Sequence, residues 1–314
     1  MEKIQKQVFA TKTSPVETRK IIKKKFGRKK RLRPRYVPRY PESAERELVR
    51  LNRAYVREFK HLVQKEMPGI MRAYERTMRA DASDVHYDGF SDFGKYVNRR
   101  ISRIYEALRL WLEAFGFIGK MGRISERAVR ANAREWRRIV HSALGIDIFE
   151  DYYKGDLYEA VTQAWVADNV SKIKSIPETS LTRMQEIILN GFRDGRRIPD
   201  LTEEIQAIFG VTMTKAEMLA RDQMSTLNAQ ITKMQQENAG VKRYEWSSSR
   251  DSRVRDSHRE FNGKVFEWSN PPEGWYNTKS RGKVSTGRRC HPGEDYCCRC
   301  VAIPIFESED MGYS

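Results

Sequence analysis

The stretch "MQQENAGVKRYEW", residues 234–246, marks a change in the spacing of apolar side chains. Up to Met234 they recur at steps of three and four: Ala220, Met224, Leu227, Ile231 and Met234 fall in line, as on one helix face. Gly240 is placed to end that helix, and Tyr244 and Trp246 then alternate with polar residues as in a short strand. Upstream of the switch the chain reads as helical, and downstream as β-rich.

Upstream, Leu48, Leu51, Tyr55, Phe59 and Leu62 define a first helix that Pro68 is expected to break. Val97, Ile101, Ile104, Leu108, Trp111 and Phe115 define a second, and Val129, Ala133, Trp136, Val140 and Ala143 a third, closed by Gly145. Between the first two lies "DASDVHYDGFSDFG", residues 81–94, a loop by composition whose carboxylates are expected to be solvated. Shorter helices are expected after Pro177, weakening at Gly191, and from the Asp200 cap through Leu201, Ile205 and Ile208 to Gly210. The capping box "TKAE", Thr214–Glu217, is expected to open the long helix that ends at Gly240. Downstream, "GKVFEW" and "VAIPIF" read as further strands, with Pro304 marking an edge.

Residues 1–40 carry fifteen Lys or Arg against two Glu, and Pro34 and Pro38 oppose a packed helix after Arg31. The expectation is therefore an α+β protein in three parts: a basic, extended N-terminal arm (1–42), a long mainly α-helical body (43–240) and a small β-rich C-terminal module (241–314). A net charge of +17 favours a polyanionic partner. In the arm, Lys23, Lys24, Lys25, Arg28, Lys29, Lys30, Arg31, Arg33 and Arg35 are the candidates for phosphate contact. No apolar run is long enough to span a bilayer, and the N-terminus lacks the apolar core of a secretory signal.

All four cysteines of the 314-residue chain fall in "CHPGEDYCCRC", residues 290–300. Their clustering does not resemble the spread disulfide framework of a secreted protein. A small β-module gains from a staple, and His258, His291, Cys298 and Cys300 offer a His₂Cys₂ ligand set for one structural zinc ion. The one-residue gap in "CRC" is unlike the usual two-residue spacing of zinc knuckles. Other readings are a disulfide through Cys290 or Cys297, buried thiols, or a catalytic thiol with His258 or His291 as base. A ββα-type metal nuclease would need a positioned Asn, and Asn262 has the wrong spacing. No complete catalytic constellation is present. In "RDSRVRDSH", Asp251 beside Arg253 and Arg255 reads as an ion-paired turn, with phosphate contact by the arginines as the alternative.

In combination these residues resemble the phage head-morphogenesis, or Mu F-like minor head protein, family. The resemblance runs over about residues 160–305, through Ala220, Arg221, Gly240, Trp246, Asp251, Arg253, Val254, Arg255, His258, Gly263, His291, Pro292, Cys298, Arg299 and Cys300. It implies a non-enzymatic minor capsid protein inside the virion, made in the host cytoplasm and acting in head assembly, with DNA packaging or ejection as further roles. The implied partners are the portal protein, the major capsid or scaffolding protein, and packaged double-stranded DNA. The alternative is a metal-dependent nuclease or thiol hydrolase delivered with the genome.

Overall fold

Most residues of the apolar stripes are buried, with Leu62, Trp111, Phe115 and Met234 half-buried, but the helices that carry them run through most of the breaks suggested by the sequence. The computed structural model describes residues 11–81, 88–149 and 156–312. The helices are α1 (Pro15–Phe26), α2 (Glu42–Asp81), α3 (Asp88–Ala114), α4 (Phe117–Leu144), α5 (Asp156–Arg193), α6 (Ile198–Asn238) and α7 (Asp256–Phe261). The strands are β1 (Arg31–Leu32), β2 (Arg243–Ser247), β3 (Val265–Glu267), β4 (Glu273–Thr278), β5 (Gly282–Arg289) and β6 (Val301–Glu307).

Pro68 lies inside α2 and Pro177 inside α5. An interior proline costs about 3 kcal/mol through the lost hydrogen bond and the ring clash. Burial beyond each proline opposes that cost, through Ile70 and Tyr74 in α2 and Leu181, Met184 and Ile188 in α5. Gly210 and the "TKAE" box are likewise interior to α6. The Thr214 hydroxyl donates back to the Gly210 carbonyl at 3.0 Å, the bond of a mid-helix threonine rather than of a cap. Of the expected loop 81–94, the part from Asp88 onward belongs to α3, and residues 82–87 lie outside the described residues.

Packing divides the chain into two compact units, one within 1–45, 124–163 and 222–314, the other within 46–123 and 164–221. The second is helical throughout. Its core contains Leu48, Phe59, Val97, Ile104, Leu108, Phe117, Met121, Ile188 and Leu201. Phe93 stacks on Phe192 at 4.6 Å, and the Asn52 amide donates to the Ala216 carbonyl. Gly191 does not weaken a helix here. It is the point where Leu201 of α6 lies on α5: a Cβ on Gly191 would stand 2.5 Å from Leu201 Cδ2.

The first unit holds the sheets. β6 is central, in the antiparallel order β1-β6-β2-β3, and β4-β5 form a separate hairpin that the sequence did not suggest. Pro304 is therefore not on an edge strand. It lies opposite Tyr244 of β2, while β1 covers only Phe306 and Glu307 on the other side. The missing proline N–H is tolerable where the neighbouring strand has already ended. The basic segment is not extended over residues 15–26. Ser14 caps α1 by accepting from the Glu17 amide, and Ile22, Phe26 and Leu32 enter a core cluster with Trp136, Val140, Leu144 and Phe306. Its cations are on the outer face, while Ile21 and Tyr36 add partly buried contacts to the same cluster.

Gly191→Ala should destabilise the protein by about 1–3 kcal/mol through overpacking, measured by denaturant unfolding. The cost should shrink in a Leu201→Ala background, where the space is free. Full additivity of the two substitutions would mean that the helices do not meet at this point.

Candidate metal centre

The geometry of the cluster starts from the chain just before β6. Residues 298–300 lead directly into β6. Cys298 and Cys300, each 3% exposed, face inward together. Arg299 points the other way, and its Nε lies 3.1 Å from Glu45 at the start of α2. The one-residue spacing in "CRC" thus puts both sulfurs in the same buried region, with Arg299 between them directed to Glu45.

Facing the sulfurs is His258, on the single turn and a half of α7 and 2% exposed. Its Nδ1 is 3.5 Å from Cys298 Sγ and 3.7 Å from Cys300 Sγ. Its other nitrogen, Nε2, has no hydrogen-bond partner and faces Asp295 Oδ2 at 3.7 Å. Asp295 is held by Arg255 at 3.2 Å and Arg288 at 3.5 Å. Trp246 packs on the imidazole with ring centres 4.9 Å apart, and Phe261, Trp268 and Tyr244 complete an aromatic shell. Hydrogen bonding between the thiols splits their acidity: it raises Cys298 well above the ordinary thiol value, with burial adding to the rise, and lowers Cys300.

His291 is buried but not brought to this point. Its Nδ1 accepts from the Tyr244 hydroxyl at 2.8 Å, its backbone N–H donates to Glu294 at 2.7 Å, and its ring packs on Trp268. Burial lowers its pKa, which agrees with a neutral imidazole accepting from the phenol. Cys290 and Asp295 gather instead around His258, Asp295 on its Nε2 side. Cys290 is pushed up to about 12 by burial. All four cysteines are free thiols.

Two positions hold the loop in register. Gly293 has φ +89°, and a Cβ there would meet Ala229 Cβ at 3.0 Å, so "HPG" lets the loop lie directly on α6. Cys297, at φ +51°, turns the chain into residues 298–300, with its amide donating to Asp222 at 3.0 Å. The arginine string resolves into two tasks. Arg253 pairs with Asp251 inside its own turn, and Arg255 reaches Asp295 and the Tyr296 carbonyl. Asp295 and Glu45 had no signal in the sequence beyond charge, since each is defined by a partner far along the chain.

Among the arm candidates, Lys23, Lys24, Lys25, Arg28, Lys29, Lys30, Arg31, Arg33 and Arg35 are all exposed. Arg31 pairs with Glu307 at 2.8 Å and Arg33 with Glu245 at 2.6 Å. The other seven have no carboxylate partner among the described residues.

Glu45 is nearly buried, so Arg299→Met would leave it unpaired and should lower stability by roughly 3 kcal/mol. Adding Glu45→Gln should restore part of that loss in thermal melting. An unchanged Tm for the single variant would show the pair to be energetically idle.

Residues 182–303 match the family model described as Phage Mu protein F like protein. An uncharacterized protein of Haemophilus influenzae is 37% identical over 148 residues. That similarity covers 47% of this chain and 30% of the relative, so the chain spans under a third of the relative's length. No solved structure matches significantly. The matched segment contains α7, both ring partners of His258 and the "CRC" run. The segment from residue 182 to 303, with the whole Cys/His cluster inside it, is thus similar to the Phage Mu protein F-like family.

Proposed function

We propose that the chain is a minor head protein of a tailed bacteriophage, seated inside the capsid at the portal and acting in head assembly. The observation that carries this reading is the family match over residues 182–303. The basic segment supports a DNA-facing role. Lys23, Lys24, Lys25, Arg28, Lys29, Lys30 and Arg35 project from a docked helix and the chain after it, and exposed cations of this density favour phosphate. Such a surface suits contact with packaged double-stranded DNA, while the portal and the major capsid or scaffolding protein are the protein partners in this reading. The virion interior is then its final location, with the host cytoplasm its site of assembly. No helix among the described residues is long and apolar enough to cross a membrane.

Burial of the cluster also weighs against a delivered thiol hydrolase. A nucleophilic cysteine needs an accessible thiolate at neutral pH. Cys290, Cys298 and Cys300 are all buried, so even the lowered Cys300 thiol is not accessible. A structural role for the cluster fits those surroundings better.

A reconstruction of intact heads without imposed symmetry tests the proposal. The expected result is density for this chain at the inner face of the portal vertex, with residues 23–35 toward DNA. Its absence from purified heads, or its presence only outside the shell, would overturn the reading.

A further inference from the structure

The three buried donors around His258 Nδ1 have the dimensions of a coordination polyhedron. Zinc–sulfur bonds of about 2.3 Å and zinc–nitrogen bonds of about 2.0–2.1 Å, at tetrahedral angles, place sulfur and nitrogen about 3.6 Å apart. The observed separations are 3.5 and 3.7 Å. Ligand atoms of His258, Cys298 and Cys300 all lie within 4.8 Å of one another. We propose that His258 Nδ1, Cys298 Sγ and Cys300 Sγ bind one thiophilic metal ion, Zn²⁺ by preference, which ties α7 to the strand β6.

A second observation points the same way. A metal-bound imidazole normally presents its remaining N–H to a carboxylate, which fixes the tautomer. The unpartnered Nε2 of His258 faces Asp295, and that carboxylate is itself anchored by Arg255 and Arg288. With the proton on Nε2, the Nδ1 lone pair is directed to the sulfurs. His258, Cys290 and Asp295 form a second candidate group, with Asp295 on the Nε2 side. That side offers only one sulfur, however, and its carboxylate is already committed to two guanidiniums. Soft metals favour the side with two thiols.

This set differs from the His₂Cys₂ set suggested by residue type alone. His291 is taken up by Tyr244, so three protein donors bind, and a water or an exogenous anion takes the fourth position of a tetrahedral ion. On binding, the Cys298 and Cys300 thiols each lose a proton to solvent, so affinity falls as pH falls. A cleft of about 390 Å³ lined by Asp222, Cys290 and Asp295 lies on the Asp295 side of His258. The inference stands independently of the head-protein reading, since it concerns only this chain's own donors.

The test uses the full chain purified without chelator. Elemental analysis should find about one zinc per chain, as expected for a single site. Exchange with Co²⁺ should give a thiolate-to-cobalt charge-transfer band. His258→Gln, Cys298→Ser and Cys300→Ser should abolish both signals, whereas His291→Gln, Cys290→Ser and Cys297→Ser should keep them. If the ligand variants fail to fold, alkylation mapping of the wild type decides: Cys298 and Cys300 should be protected until chelator is added, and reactive afterwards. Folded wild type with neither zinc nor a cobalt band would overturn the proposal. So would loss of zinc in folded His291→Gln, or labelling of Cys298 and Cys300 that is indifferent to chelator.

Discussion

Antiparallel pairing of β6 with β2 on one side and β1 on the other is the constraint on which the first unit depends. Residues 302–306 are all buried, which requires cover on both faces of the strand. β6 contributes Phe306 to the cluster that receives α1, β1 and α4, and Ala302 to the aromatic cluster around Trp246. Gln236 of α6 fixes the level of the strand, donating to the Ala302 carbonyl and accepting from the Trp268 indole. A shift of one residue in β6 would turn both thiols outward and Arg299 inward. The register of one strand thus sets the helix contacts, the ion pair with Glu45 and the Cys/His cluster together.

That dependence explains why a polar, charged chain can keep so small a β-module ordered. The module does not have to supply a core by itself, because α4, the end of α6 and the basic segment close over it within the same unit. Buried polar contacts add specificity. The Asn132 amide donates to Asn228 at 2.9 Å and lies 2.8 Å from the Thr232 hydroxyl, aligning α4 with α6. Such pairs contribute little net stability, but they penalise every alternative alignment that leaves them unmet.

Period was legible in the sequence wherever burial is one-sided and local. The stripe from Val97 to Leu108 and that from Val129 to Ala143 are buried in the phase their spacing implied. Helix ends were less legible, because Pro68, Pro177 and Gly210 act locally while the burial that carries the helices past them comes from distant residues. The β4-β5 hairpin was missed since only Gly274 is buried along β4, with Trp275 half-buried, leaving no alternating pattern to read. For the cluster, residue type pointed to His258, His291, Cys298 and Cys300 alike. Only the fold separates the two histidines, one facing sulfur and the other a tyrosine hydroxyl. The one-residue spacing of "CRC" was visible, but its meaning depended on knowing that both cysteines face His258.

Hydrogen exchange on residues 301–307 tests the central role of β6 most directly, comparing the intact chain with one beginning at residue 43. If the basic segment is part of the structure that covers this strand, its removal should speed exchange in β6 and β2 together, because both lose the support of Ile22, Phe26 and Leu32. Unchanged protection of β6 in the shortened chain would contradict the account, since the segment would then be an appendage and not a wall of the core.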